Sequence, residues 1–188
     1  MRVITGSARG RRLKEPNFDG VRPTSDKVKE AMFNMIQFDV PGSRVLDLFA
    51  GTGQLGIEAL SRGADSAVFI DSSRQSAALV RENVKISGFE DKSRVICGDS
   101  LAHLSSGVKY DIIFMDPPYA TDLIEQALVL TDKFDILDKN GIILCESDRL
   151  IDYERLNTRF LLAAERKYGR IRVSVLKHKS AGDSEENI

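Results

Sequence analysis

Asp116, Pro117, Pro118 and Tyr119 form the most specific tetrapeptide in this chain. Two successive prolines remove two backbone donors and fix two φ angles, so the corner they make at the end of an apolar run is rigid. Asp116 and the Pro117 carbonyl can both accept hydrogen bonds from one planar amino group, and Tyr119 offers a face on which a base can stack. An exocyclic amine is a poor nucleophile while its lone pair is delocalised into a ring. Held by two acceptors and drawn from the ring plane, it can attack an electrophilic methyl placed in line, so catalysis would rest on orientation and electrostatics. The plainer alternative is a Pro-Pro turn with a surface tyrosine.

A second group of residues suits a ligand. The stretch Arg44 to Gly63, RVLDLFAGTGQLGIEALSRG, runs from an apolar segment with an acid at Asp47 through Gly51, Gly53 and Gly56 into a helix-compatible segment. Glycines there permit unusual backbone angles and let a ligand approach the main chain beside the positive end of a helix. Gly51 to Gly56 also satisfies G-x-G-x-x-G, which dinucleotide enzymes share, so the loop alone leaves the cofactor open. Asp71, 18 residues beyond Gly53, suits an acid accepting from two ribose hydroxyls, or else caps the next helix. Asp99 could accept from an adenine amino group or be a turn residue.

These residues need a frame. Short apolar runs at Arg44 to Asp47, Ala67 to Ile70, Arg94 to Cys97, Tyr110 to Met115 and Gly141 to Cys145 predict five strands, and helical spacing falls between them, as in a parallel α/β sheet. Thr24 or Ser25 caps a helix carrying Val28, Ala31, Met32, Met35 and Ile36; further helices are expected over Arg74 to Ser87, around Leu123 to Leu128 and over Tyr153 to Phe160. Arg159 to Ala164 and Arg170 to His178 form an antiparallel pair around Gly169, and Arg2 to Thr5 with Arg11 to Lys14 a small N-terminal hairpin. Four of the five inner strands finish with a carboxylate, Asp71, Asp99, Asp116 and Glu146, while Asp47 lies inside the first. Ligands of such sheets bind beyond the strands' carboxyl ends, so these acids converge on one rim.

Composition bounds the rest. A chain of 188 residues with 42% hydrophobic content fits one domain, here a basic extension over 1–20, a core over 21–179 and a disordered polar tail over 180–188. A net charge of −1 gives no global sign of nucleic-acid binding, yet Met1 to Lys14 holds five cations and no acid. That segment is either a solvated basic arm or an RNA contact. Cys97 and Cys145 lie in apolar runs and are expected to be buried thiols in a reducing compartment. Only His103 and His178 accompany them, so no metal site is expected, and no signal peptide or membrane-spanning run is found, which predicts a cytoplasmic protein.

Asp47-Leu-Phe-Ala-Gly-Thr-Gly53, Asp71, Asp99 and Asp116-Pro-Pro-Tyr119, in that order, resemble the motifs of class I S-adenosylmethionine-dependent amino-methyltransferases. With Arg2-Val-Ile-Thr-Gly6, Arg9-Gly-Arg11, Arg22-Pro-Thr24 and Gly56-Ile-Glu-Ala-Leu-Ser-Arg-Gly-Ala64 added, the chain closely resembles the RsmD family of bacterial 16S ribosomal RNA guanine-N2 methyltransferases. The likeness covers Arg2 to about His178. Asp71 and Thr5 stand where many relatives carry Glu and Gly.

The resemblance implies a Rossmann-like, seven-stranded, mostly parallel sheet with an antiparallel last strand. It implies S-adenosylmethionine held by Thr24, Asp47, Phe49, Ala50, Gly51, Gly53, Asp71, Ser72, Asp99 and Ser100, with the ribose at Asp71 and the adenine amine at Asp99. It gives catalysis at the guanine amine to Asp116, Pro117, Pro118 and Tyr119. Ribosomal RNA, naked or in a small subunit or its assembly intermediate, would meet Arg2, Arg9, Arg11, Arg12, Lys14 and Arg22, and the enzyme would be a monomer. Other readings are a DNA adenine or protein glutamine methyltransferase, an NAD-dependent oxidoreductase, and a non-catalytic RNA-binding module.

Overall fold

The computed structural model describes residues 1–18, 24–119 and 121–179. Arg22 and the tail over 180–188 lie outside them. Strands β1 (Arg44–Asp47), β2 (Ser66–Asp71), β3 (Ser93–Cys97), β4 (Tyr110–Met115), β5 (Leu137–Ser147), β6 (Phe160–Tyr168) and β7 (Ile171–His178) make one seven-stranded sheet ordered β3-β2-β1-β4-β5-β7-β6. Strands β1 to β5 are mutually parallel, and β7 runs antiparallel between β5 and β6. This is the expected class I methyltransferase architecture. The order reverses between β1 and β4, the switch point beyond which ligands of open α/β sheets bind.

Helices cover both faces. Against one face lie α1 (Asp26–Met35), α2 (Gln54–Ser61) and α3 (Arg74–Ser87), whose Phe33, Ile57 and Val80 share a core with Val45, Phe69 and Phe114. Against the other lies α5 (Leu123–Lys133), with Ile124 and Leu128 beside Leu46, Ile113 and Ile143. Ser25 caps α1, Ser73 caps α3, and Gly88 ends α3 at φ +74, each as its residue type suits. A one-turn helix, α4 (Ser100–His103), follows β3 and was not foreseen, because four residues carry no periodicity.

The N-terminal hairpin exists as a docked element. An Arg2 to Arg12 bridge and bonds from Val3 N–H to the Arg11 carbonyl and from Gly10 N–H to the Val3 carbonyl close it, and Val3, Ala8 and Leu13 are buried. Its backbone is fastened to the core by side chains. The Glu58 carboxylate accepts from Ile4 N–H at 2.7 Å and Thr5 N–H at 3.0 Å, while Lys29 Nζ donates to the Arg2 carbonyl at 2.7 Å. Lys29 and Glu58 are both fully buried, 3.9 Å apart, and burial pushes the Lys29 ammonium below its ordinary range while Glu58 opposes that shift.

Three expectations are corrected. Tyr153 to Phe160 holds a single 3₁₀ turn, Glu154–Leu156, since Asn157 takes a left-handed φ of +51 and Phe160 already opens β6. Cys97 is exposed, because β3 is the sheet's edge strand; Cys145 is buried as expected. Asp47 is the last residue of β1, not an interior one. Among the described residues, no helix is long and apolar enough to cross a membrane and no His, Cys, Asp or Glu group is placed to hold a metal ion.

Candidate active site

At the carboxyl ends of β1, β2, β3 and β4 opens a cavity of about 820 Å³. Twelve of the residues singled out above line it: Asp47, Phe49, Ala50, Gly51, Asp71, Ser72, Asp99, Ser100, Asp116, Pro117, Pro118 and Tyr119. Phe18, Thr52, Gln54, Leu55, Ser73, Ser76, Gly98, Leu101 and Leu123 complete the wall. Thr52 belongs to the glycine motif already singled out; sequence reasoning missed the other eight, since most are small or apolar residues whose neighbours, not their own types, mark them.

The glycine loop is held from below by acids. Asp47 accepts from Gly56 N–H at 3.0 Å and Asp71 from Gly51 N–H at 2.8 Å, while Gly53 N–H goes to the Ala50 carbonyl at 2.7 Å. Those three N–H groups are therefore already bonded to acceptors of the protein and are not free to donate to an anion. Gly53 has φ +77 and lies beneath the wall, and a Cβ on Gly56 would come within 2.3 Å of Phe69, so the third glycine serves the packing of α2 on β2. The other Asp71 oxygen accepts from Ser73 N–H at 2.8 Å, which aligns the start of α3, and Asp99 caps α4 through Ala102 N–H at 3.1 Å.

Asp116 stands one residue beyond β4. Its Oδ2 accepts from Thr24 Oγ1 at 3.1 Å, and Gln54 holds Thr24 in turn: the amide oxygen accepts from Thr24 N–H at 2.6 Å and the amide nitrogen donates to the Thr24 carbonyl at 3.3 Å. Tyr119 donates its hydroxyl to Glu146 Oε1 at 2.9 Å. The strand-end acids thus do converge, with Glu146 buried behind the corner.

Crowding shifts these acids. Burial pushes the Asp47 carboxyl up to about 7, partly opposed by the Gly56 N–H. Burial also raises Asp116 well above the usual carboxylate range; the Glu146 charge adds to this and the Thr24 hydroxyl pulls the other way. Four carboxylates face the cavity, and among the described residues no Lys or Arg lines it. That electrostatic character suits a cationic ligand and opposes a pyrophosphate.

The cations of the N-terminal hairpin are dispersed. Arg2 pairs with Asp26 at 3.1 Å, Lys14 with Glu82 at 2.7 Å, and Arg11 Nη1 donates to the Ile86 carbonyl at 2.8 Å. Arg9 and Arg12 are exposed, and among the described residues neither has an ion-pair partner. The hairpin turn meets Ser61 at the far end of α2, and Arg11 reaches the far end of α3, both away from the cavity rim.

Known proteins resemble this chain in sequence and fold. The family described as Conserved hypothetical protein 95 matches residues 1–177. YlbH of Bacillus subtilis (strain 168) is 37% identical over 183 residues, covering 95% of this chain and all of that protein. Ribosomal RNA small subunit methyltransferase D of Haemophilus influenzae is 36% identical over 153 residues, 79% of each chain. The solved structure of Escherichia coli yhhF is 30% identical, with a TM-score of 0.85 over 95% of this chain and 98% of that one. With the family model spanning the hairpin, the sheet and the acid-lined cavity, this chain belongs to the RsmD family of class I S-adenosylmethionine-dependent methyltransferases.

Proposed function

We propose that this protein methylates the exocyclic N2 amine of one guanine in small-subunit (16S) ribosomal RNA. The observation that supports the reading most is the cavity itself: an acid-lined wall whose Asp47 and Asp71 already accept from the Gly56 and Gly51 N–H groups, and the Asp116 to Tyr119 corner at its edge. When bound, S-adenosylmethionine supplies a methyl group on a cationic sulfur. The Ala50 to Gly53 loop, Asp71 and the Gly98 to Ser100 turn are the residues that would hold it, and a pyrophosphate cofactor would meet carboxylates where it needs donors. This favours a methyl donor over a nicotinamide.

Asp116 and the Pro117 carbonyl accept from the target amine and turn its lone pair out of the ring plane. As the N–C bond forms and the methyl's bond to the cofactor sulfur breaks, the sulfur keeping the electron pair, the amine sheds a proton that Asp116, more basic than an ordinary carboxylate, would take. Tyr119, fixed at its hydroxyl by Glu146, offers the ring on which the base stacks. The base reaches this corner only when splayed from its helix, so the target lies in a loop or is flipped. The choice of guanine N2 and of 16S RNA is supported by the family resemblance and the relatives' names. Methyl transfer from labelled S-adenosylmethionine to small subunits tests it: D116A should lose transfer on the order of a hundredfold or more while keeping affinity for S-adenosylhomocysteine. Full turnover by D116A would overturn the role.

A further inference from the structure

The β6–β7 hairpin carries a second cationic cluster, separate from the N-terminal one. Residues 166–172 read RKYGRIR, four cations and no acid in a chain of net charge −1. Arg172 pairs with Glu165 at 2.7 Å, but Arg166, Lys167 and Arg170 are exposed, and among the described residues none of the three has an ion-pair partner.

Register puts this cluster at the catalytic rim. Met115, the residue before Asp116, pairs with Cys145; the next residue of β5, Glu146, pairs with Val173, and Val173 pairs with Arg166. Arg166 therefore continues the row of Asp116 across the sheet, and Lys167 and Arg170 stand beyond it. The hairpin runs one pair past the end of β5, at Tyr168 and Ile171, and closes on Gly169 and Arg170 with a positive φ at Gly169 alone, as a type II′ turn requires. Tyr168 and Ile171 pack on the core, so the tip is anchored. Cations serving only to blunt an edge strand would be spread along β6. Instead Leu161 to Ala164 carry none, and all of them sit at the rim end.

We infer that Arg166, Lys167 and Arg170 form a phosphate-binding site for the RNA strand that flanks the target base. The inference rests on the RNA-methylating function proposed above. Three strand spacings of about 4.8 Å separate β4 from β6, roughly 14 Å, which is about four phosphates of a stacked strand at about 3.4 Å each. The site reads charge, not sequence, and holds the strand while the base enters the corner.

The test is the triple variant R166A/K167A/R170A, assayed on small subunits or ribosomal RNA from a strain lacking the gene. KM for the RNA should rise on the order of tenfold near 0.1 M salt, and the salt slope of log KM should flatten by about two, some 0.7 per lost contact. R166K/R170K should restore both. Cofactor affinity and melting temperature should match the wild type. Unchanged KM and slope in the triple variant, with active wild-type enzyme, would overturn the site, as would a lysine variant as impaired as the alanine one. Wild-type enzyme inactive on both RNA substrates would instead refute the proposed function.

Discussion

In the proposed reaction Asp116 accepts hydrogen bonds as a carboxylate, yet burial and the neighbouring Glu146 favour its protonated form. Thr24 opposes that tendency by donating to Oδ2. Turnover should therefore fall on acidification at a pH above the ordinary carboxylate range, and T24V should move that acid limb to higher pH. A pH profile of kcat in the two proteins checks this; an unmoved limb would remove Thr24 from the account. Tyr119 separates into ring and hydroxyl: Y119F should keep most of its activity, whereas Y119A should weaken RNA binding by about ten- to a hundredfold, the scale of one stacked base. Asp47 affects folding. Its carboxyl titrates near 7 in the folded protein against 3.8 in a free chain, so its protonated form is favoured by folding. That contribution is complete below about pH 4 and is lost as pH rises towards 7, at a rate of at most about 1.4 kcal/mol for each pH unit crossed. D47N, which keeps an acceptor for Gly56, should flatten that fall in urea unfolding measured from pH 4 to 8.

At the scale of elements, the N-terminal hairpin depends on one buried cluster. E58A would strand Lys29 in the core and leave the Ile4 and Thr5 N–H groups unpaired, a loss of about 3–5 kcal/mol measurable by denaturant unfolding. Asn83 continues the attachment to the cofactor side, since its amide bonds both the Lys14 backbone and the Thr52 carbonyl of the glycine loop. None of this was legible in the sequence, where Glu58 looks like an ordinary helical acid and Asn83 like a polar helix residue. The hydrogen bonds that give them these roles reach residues 31 to 69 positions distant. Local signals succeeded where the physics is local: Tyr110–Met115 reads as a doubly buried strand and is one, and Arg74–Ser87 begins after a serine cap and ends at a glycine. They failed at Tyr153 to Phe160, where helical spacing lost to the pairing of Phe160 with His178 across the antiparallel edge. The strand-end acids were visible individually; the bond from the Gly51 N–H to Asp71 was not, because hydrogen-bond direction has no sequence signature.

Across the whole molecule, charge is arranged by end and not by total. Carboxylates line the cavity, while the cations of the β6–β7 hairpin stand on the same rim, so a cationic cofactor and an anionic nucleic acid have separate places on one sheet edge. Titration calorimetry should accordingly show S-adenosylhomocysteine binding and no heat with NAD. The measurement that bears most directly on the function is the position of the methyl group. Small-subunit RNA from a strain lacking the gene, incubated with the enzyme and labelled S-adenosylmethionine, should gain one methyl at the N2 amine of a single guanine, and none with D116A. Incorporation at a ring nitrogen or ribose oxygen, or into DNA or protein in place of this RNA, would contradict it.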